Sequence, residues 1–221
     1  MIKRANRKFG LTNHWLKLDP VDKLITSLLA VVLSVSLFGC NRNEGFRDGD
    51  IILHTSKSNQ SKMIQDVTGS KYSHVGIIYN KDGKTYVMEA VQPVKMTPID
   101  EFISRGVDSK YTVVRYIWGL DKRQMKMMYD YASAQLGKNY DSKFQWSESS
   151  MYCSELVFKI YYNAGIQLCN IHQFKDYNLS SEDVQNEIKV RYNTEIDPDE
   201  LIVTPVDLYN GLSTGVVFDN Y

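Results

Sequence analysis

The chain has 221 residues and is poor in both cysteine, with three, and proline, with five. So few thiols exclude a disulfide-stapled scaffold. No Walker-type glycine loop and no dinucleotide fingerprint occur, so a nucleotide cofactor has no recognisable cradle. Cys169-x-x-His172 supplies two ligands where a zinc site takes three or four. No metal and no cofactor is therefore expected. Nor is there a basic block interleaved with aromatics, and Lys plus Arg balance Asp plus Glu at 26 each. Nucleic acid is thereby disfavoured as a partner.

Long apolar runs are also scarce, and the one present is informative. Residues 24–38 carry no charge, follow Lys3, Arg4, Arg7, Lys8, Lys17 and Lys23, and lead into Gly39-Cys40. A basic segment before an apolar one of this length is the pattern of a secretory signal, and it is short for a membrane span. Leu37-Phe38-Gly39-Cys40 resembles a bacterial lipobox, in which Cys40 is lipidated and becomes the mature N-terminus. An uncleaved signal anchor is the alternative, and Asp19, Asp22 and the bulky Phe38 favour it. Either reading places the rest of the chain outside the cytoplasm, membrane-anchored in a bacterial cell envelope. The organisation expected is a signal or anchor over 1–40, a polar linker over 41–46 and one domain over 47–221. Beyond residue 40 the chain holds 20 basic and 24 acidic residues, and its length suffices for one sizeable core.

Within that domain, Asp48-Gly49-Asp50 forms a turn before a buried strand over 51–54. A short helix follows over 60–67, ending at Gly69. Strands over 73–79 and 85–91 flank Asp82-Gly83, a strong hairpin signal. Another strand spans 111–118. Asp121 with Gln124 caps a helix whose apolar positions Met125, Met128, Tyr129, Ala132 and Leu136 run to Gly137. Residues 152–164 form a further helix with Leu156, Val157, Ile160, Tyr161 and Ala164 on its apolar face. The stretch 170–200 is polar and ambiguous apart from a helix over 181–188. A strand over 201–204 and a turn or short helix over 205–209 follow. Strands grouped between 50 and 118 with helices at either side make the fold class α+β.

The chemistry is carried by Cys153 at the start of the 152–164 helix. A helix N-terminus stabilises a thiolate, and a distant histidine completes a nucleophile pair if the fold brings it close. His74 is the candidate. If Asp82-Gly83 makes a two-residue turn, Lys81 pairs with Lys84, His74 falls opposite Val91, and Glu89 is its diagonal neighbour on the same face. A carboxylate there fixes the imidazole tautomer and stabilises the imidazolium. Cys153 is then the nucleophile, His74 the base and acid, and Glu89 the orienting group. Tyr72 is offered, with the Cys153 backbone N–H, as an oxyanion or pocket donor. His54 is expected to be structural. A Cys153–Cys169 bridge is the alternative that would silence the thiol.

Gly49-Asp50-Ile51-Ile52, Tyr72-Ser73-His74-Val75-Gly76-Ile77, Met88-Glu89-Ala90, Tyr140-Asp141, Tyr152-Cys153-Ser154-Glu155-Leu156-Val157 and Thr204-Pro205-Val206-Asp207-Leu208-Tyr209 together resemble the YiiX-like permuted papain-like amidases of the NlpC superfamily. The histidine strand precedes the cysteine, as in the circularly permuted branch. The resemblance covers nearly all of 46–210. It implies a circularly permuted papain-like (NlpC-type) core, a small antiparallel sheet packed on the nucleophile helix, and it matches Cys153, His74 and Glu89 to the family's Cys/His/Glu. It further implies an amide-cleaving hydrolase acting on peptide or amide substrates, possible cell-wall peptides among them. The alternatives are a lipid acyltransferase or thioesterase of the lecithin-retinol acyltransferase-like branch, and a non-catalytic lipoprotein that binds peptide or cell-wall fragments.

Overall fold

A computed structural model describes residues 45–58, 60–192 and 196–221. The signal or anchor, Cys40 and most of the linker lie outside the described residues. Six strands, β1 (Ile51–His54), β2 (His74–Lys81), β3 (Lys84–Glu89), β4 (Lys95–Pro98), β5 (Thr112–Tyr116) and β10 (Thr214–Asp219), form one antiparallel sheet in the order β10-β5-β1-β2-β3-β4. The helices are α1 (Ser61–Thr68), α2 (Ile99–Ser104), α3 (Lys122–Gln135), α4 (Cys153–Asn163), α5 (Glu182–Tyr192) and α6 (Pro205–Tyr209). Two-residue strands β6 (Asn139–Tyr140) and β7 (Ser150–Met151) pair in parallel, and β8 (His172–Gln173) and β9 (Leu201–Ile202) pair antiparallel. Among the described residues no helix is long and apolar enough to cross a membrane.

The hairpin is set by its turn. Asp82 and Gly83 both adopt positive φ, 51° and 72°, the geometry that matches strand twist in a two-residue loop. Lys81 pairs with Lys84, and the register runs on to Ile77 opposite Met88. Gly76 has a steric role, because a Cβ there would lie 2.4 Å from Val87 Cγ1 and 2.8 Å from the Met88 carbonyl oxygen.

Both faces of the central strands are buried, which is why β1 reads as a continuous apolar run. One face sets Ile51, Leu53, Val75, Ile77 and Met88 against Leu156, Val157, Ile160 and Tyr161 of α4. The other sets Ile52, Ile78, Val87 and Val113 against Ile99 and Phe102 of α2. Helix α4 has an apolar face as expected, but Phe158 and Lys159 are buried too, so it is a central helix enclosed on several sides.

Candidate active site

Helix α4 is fixed at its N-terminus by side chains adjoining Cys153. Ser154 Oγ donates to the Val203 carbonyl at 2.7 Å, and the Val203 N–H donates to the Tyr152 hydroxyl at 3.2 Å. The sequence segment around 203–209 is thereby tied to the segment around 152–157. Glu155, fully buried, accepts from the Tyr152 N–H at 3.3 Å and the Ser147 N–H at 3.2 Å, and it pairs with Lys159 Nζ at 2.8 Å. Burial pushes its carboxyl up to about 7 against the pull of Lys159 and the two N–H donors.

The imidazole comes from the first residue of β2. His74 Nε2 donates to Glu89 Oε2 at 2.6 Å, and its ring stacks on Phe102 at a centroid distance of 5.5 Å. The Cys153 thiol is the other group that acts on the same imidazole. Burial alone would lower the His74 pKa, yet the thiol and Glu89 outweigh it and raise it to about 9. Glu89 is fully buried and saturated: Oε1 accepts from Thr97 Oγ1 at 2.5 Å and from Arg105 Nη2, while Oε2 holds His74. Burial opposes ionisation of Glu89, and its partners overcome it, holding the carboxyl at about 2. Cys153, His74 and Glu89 are therefore one connected cluster.

The remaining sequence candidates sit elsewhere or are engaged otherwise. Tyr72 is buried with its hydroxyl 2.7 Å from Thr112 Oγ1 and its ring against Tyr209. It does not line the cleft beside His74, so the hydroxyl offered as an oxyanion donor is spent on β5. Tyr140 occupies that cleft instead. Its hydroxyl donates to Gln60 Oε1 at 3.1 Å, and burial first, then the charge of Cys153, push its phenol well above the ordinary value. In the sequence Tyr140 stands in the Tyr140-Asp141 motif with no periodicity to mark a role for it. Arg105 and Thr97, the other supports of Glu89, also went unassigned.

His54 is buried, stacked on Phe102 at 4.5 Å, and neither ring nitrogen has a partner among the described residues. Burial, then the charges of His74 and Arg105, hold it down at about 2, which makes it a poor base. Cys153 and Cys169 are both free thiols. Burial and then Asp207 push Cys169 up to about 12. Among the described residues no group of three or more His, Cys, Asp or Glu side chains is placed to hold a metal ion.

A thiol at a helix start beside an imidazole that is bonded to a buried carboxylate, on an antiparallel sheet entered before the cysteine helix, defines a permuted papain-like cysteine hydrolase. The family profile for permuted papain-like amidase enzymes, YaeF/YiiX, C92, matches residues 45–210, and the chain belongs to that family. It is similar to protein YiiX of Escherichia coli strain K12, 39% identical over 184 residues that cover 83% of this chain and 89% of the relative. The crystal structure of metalloprotein YiiX from Escherichia coli O157:H7 superposes with a TM-score of 0.76 at 39% identity, covering 79% of this chain and 98% of that one.

Proposed function

We propose that the protein cleaves an amide through a thioacyl-enzyme, with Cys153 as nucleophile, His74 as base and acid, and Glu89 as the group that orients His74. The observation that carries this reading is the Glu89 contact to Nε2, which leaves Nδ1 as the ring atom for the thiol proton. The thiolate attacks the carbonyl carbon, and the oxyanion meets the Cys153 N–H at the helix start. The C–N bond then breaks, the imidazolium proton passes to the departing amine, and water clears the thioester. A proton donor whose pKa is about 9 remains charged through neutral pH. Tethering by lipid at Cys40 would put this chemistry in the cell envelope, where stem peptides of the cell wall are amide substrates.

A second reading has its own support. A small cavity of about 50 Å³ touches Cys153 and is walled by apolar side chains, among them Ile64, Phe144, Phe174, Val184 and Ile202. Such a wall suits an apolar acyl group, as a lipid acyltransferase or thioesterase would require. The O157:H7 relative is described as a metalloprotein. Among the described residues of this chain no group of three or more His, Cys, Asp or Glu forms a ligand set, and the steps above are carried by Cys153, His74 and Glu89 alone. Incubation with muropeptides and, separately, with phospholipids, read by mass spectrometry beside Cys153→Ala, tests the two. Cys153-dependent amine release from muropeptides supports the amidase, and Cys153-dependent acyl loss from phospholipid supports the second reading. Reversible binding without turnover of either would favour the binding lipoprotein.

A further inference from the structure

Two concavities are lined one by Cys153 and the other by His74, and they differ in chemistry. The apolar one touches Cys153 and not His74. The other, about 540 Å³, touches His74 and not Cys153, and its lining includes His54, Lys57, Gln60, Gln92, Arg105 and Tyr140. In the proposed reaction the acyl carbon is bound by sulfur and the amine takes its proton from the imidazolium. The half of the substrate that leaves must therefore lie on the His74 side. That side carries two cations and no Asp or Glu in its lining. Lys57 Nζ donates to the Ser104 carbonyl at 3.0 Å and, among the described residues, pairs with no carboxylate. Arg105 gives Nη2 to Glu89, while its buried Nε has no partner among the described residues. His54, only 1% exposed, lines the same cleft with both ring nitrogens unpartnered. Buried polar groups without partners, a lysine with no carboxylate beside it and an arginine with spare donors at one cleft mark a site built for a polar ligand.

We propose that this cleft is the leaving-group subsite and that Lys57 and Arg105 recognise an anionic oxyacid group, carboxylate or phosphate, carried by the departing amine. The inference rests on the cysteine hydrolase reading above and names the substrate half that this reading leaves open. A Lys point charge is a common donor to such groups, and an Arg already paired with a carboxylate adds N–H donors rather than net charge.

Iodoacetate and iodoacetamide deliver the same carbon to sulfur, with and without a carboxylate. The ratio of their alkylation rates at Cys153, divided by that ratio for glutathione, should exceed one by several-fold and fall at least threefold in Lys57→Gln. A ratio that Lys57→Gln leaves in place would overturn the subsite. A second measurement needs no reactive thiol. In Cys153→Ala, glycine against glycinamide and phosphoethanolamine against ethanolamine are titrated while the His74 imidazole is followed by NMR. Tighter binding of glycine, weakened by Lys57→Gln and by added salt, assigns the carboxylate source, and the same result with phosphoethanolamine assigns the phosphate source. No preference for either anionic member over its neutral partner would contradict the proposal. Failure of both reagents to label Cys153, with the binding preference intact, would instead count against the hydrolase reading alone.

Discussion

A carboxylate with no solvent exposure is tolerable only when its oxygens are bonded, and Glu89 meets that condition through His74, Thr97 and Arg105. Removing it should therefore act on stability and on the imidazole together. Glu89→Ala is expected to destabilise by about 3–5 kcal/mol in urea denaturation, because Arg105 and His74 lose their counter-charge. Its ionisation follows the sign of a depressed carboxyl. Held at about 2 against an ordinary 4.5, it contributes stability above about pH 4.5 that is lost as pH falls through 2. The gap in stability between the wild type and Glu89→Gln should accordingly narrow over that window. In NMR titration His74 should show an apparent pKa near 9 that drops in Glu89→Gln; an unchanged value would mean that Glu89 does not act on the imidazole. At this scale Cys153, His74 and Glu89 were legible in the sequence. Their supports Thr97 and Arg105 were not, because each reaches Glu89 through tertiary contact.

Among the elements, the β2–β3 hairpin and helix α4 do the positioning. Gly76 lies one residue short of the described pairs, and a side chain there would press on Val87 and the Met88 carbonyl. Gly76→Ala should cost about 1–3 kcal/mol by overpacking and, by displacing the strand that carries Glu89, slow alkylation of Cys153. Glu155 has the opposite linkage sign to Glu89. Its carboxyl sits at about 7, above the ordinary 4.5, so its ionisation costs stability as pH rises from about 4.5 through 7. Denaturation of Glu155→Gln at pH 5 and pH 8 should lack that part of the wild-type decline. The Asp82-Gly83 turn, the Asp121–Gln124 capping box with its 2.7 Å and 3.0 Å bonds, and the apolar face of α4 were readable, since each is a local rule. Strand β4 and helix α2 were not expected. Lys95, Met96, Thr97 and Pro98 have no alternating pattern, and only pairing with β3 makes them a strand. Strand β10 escaped for a similar reason: it is an edge strand with half-exposed valines and an irregular register between Val216 and Phe218.

For the molecule as a whole, the order of histidine strand before cysteine helix made the permuted fold readable. Residues 170–200 stayed ambiguous because their apolar positions are sparse. Folded, Phe174, Leu179, Val184 and Ile188 turn to a common wall of the cavity at Cys153. Val184→Asp should therefore weaken protection of Cys153 by a short-chain acyl amide more than it changes the melting temperature, as tested by competition against iodoacetamide. Envelope tethering predicts a mature N-terminus at acylated Cys40, which mass spectrometry of membrane-extracted protein would detect; an intact Met1 would indicate a signal anchor. The central claim is that His74 activates Cys153, and the most direct measurement is the rate of iodoacetamide labelling at each thiol, resolved by peptide mass spectrometry at pH 7. The account predicts that Cys153 reacts at least tenfold faster than Cys169, whose thiol is held at about 12, and that His74→Ala removes most of that advantage. Equal labelling of the two cysteines, unchanged by His74→Ala in a folded protein, would contradict it.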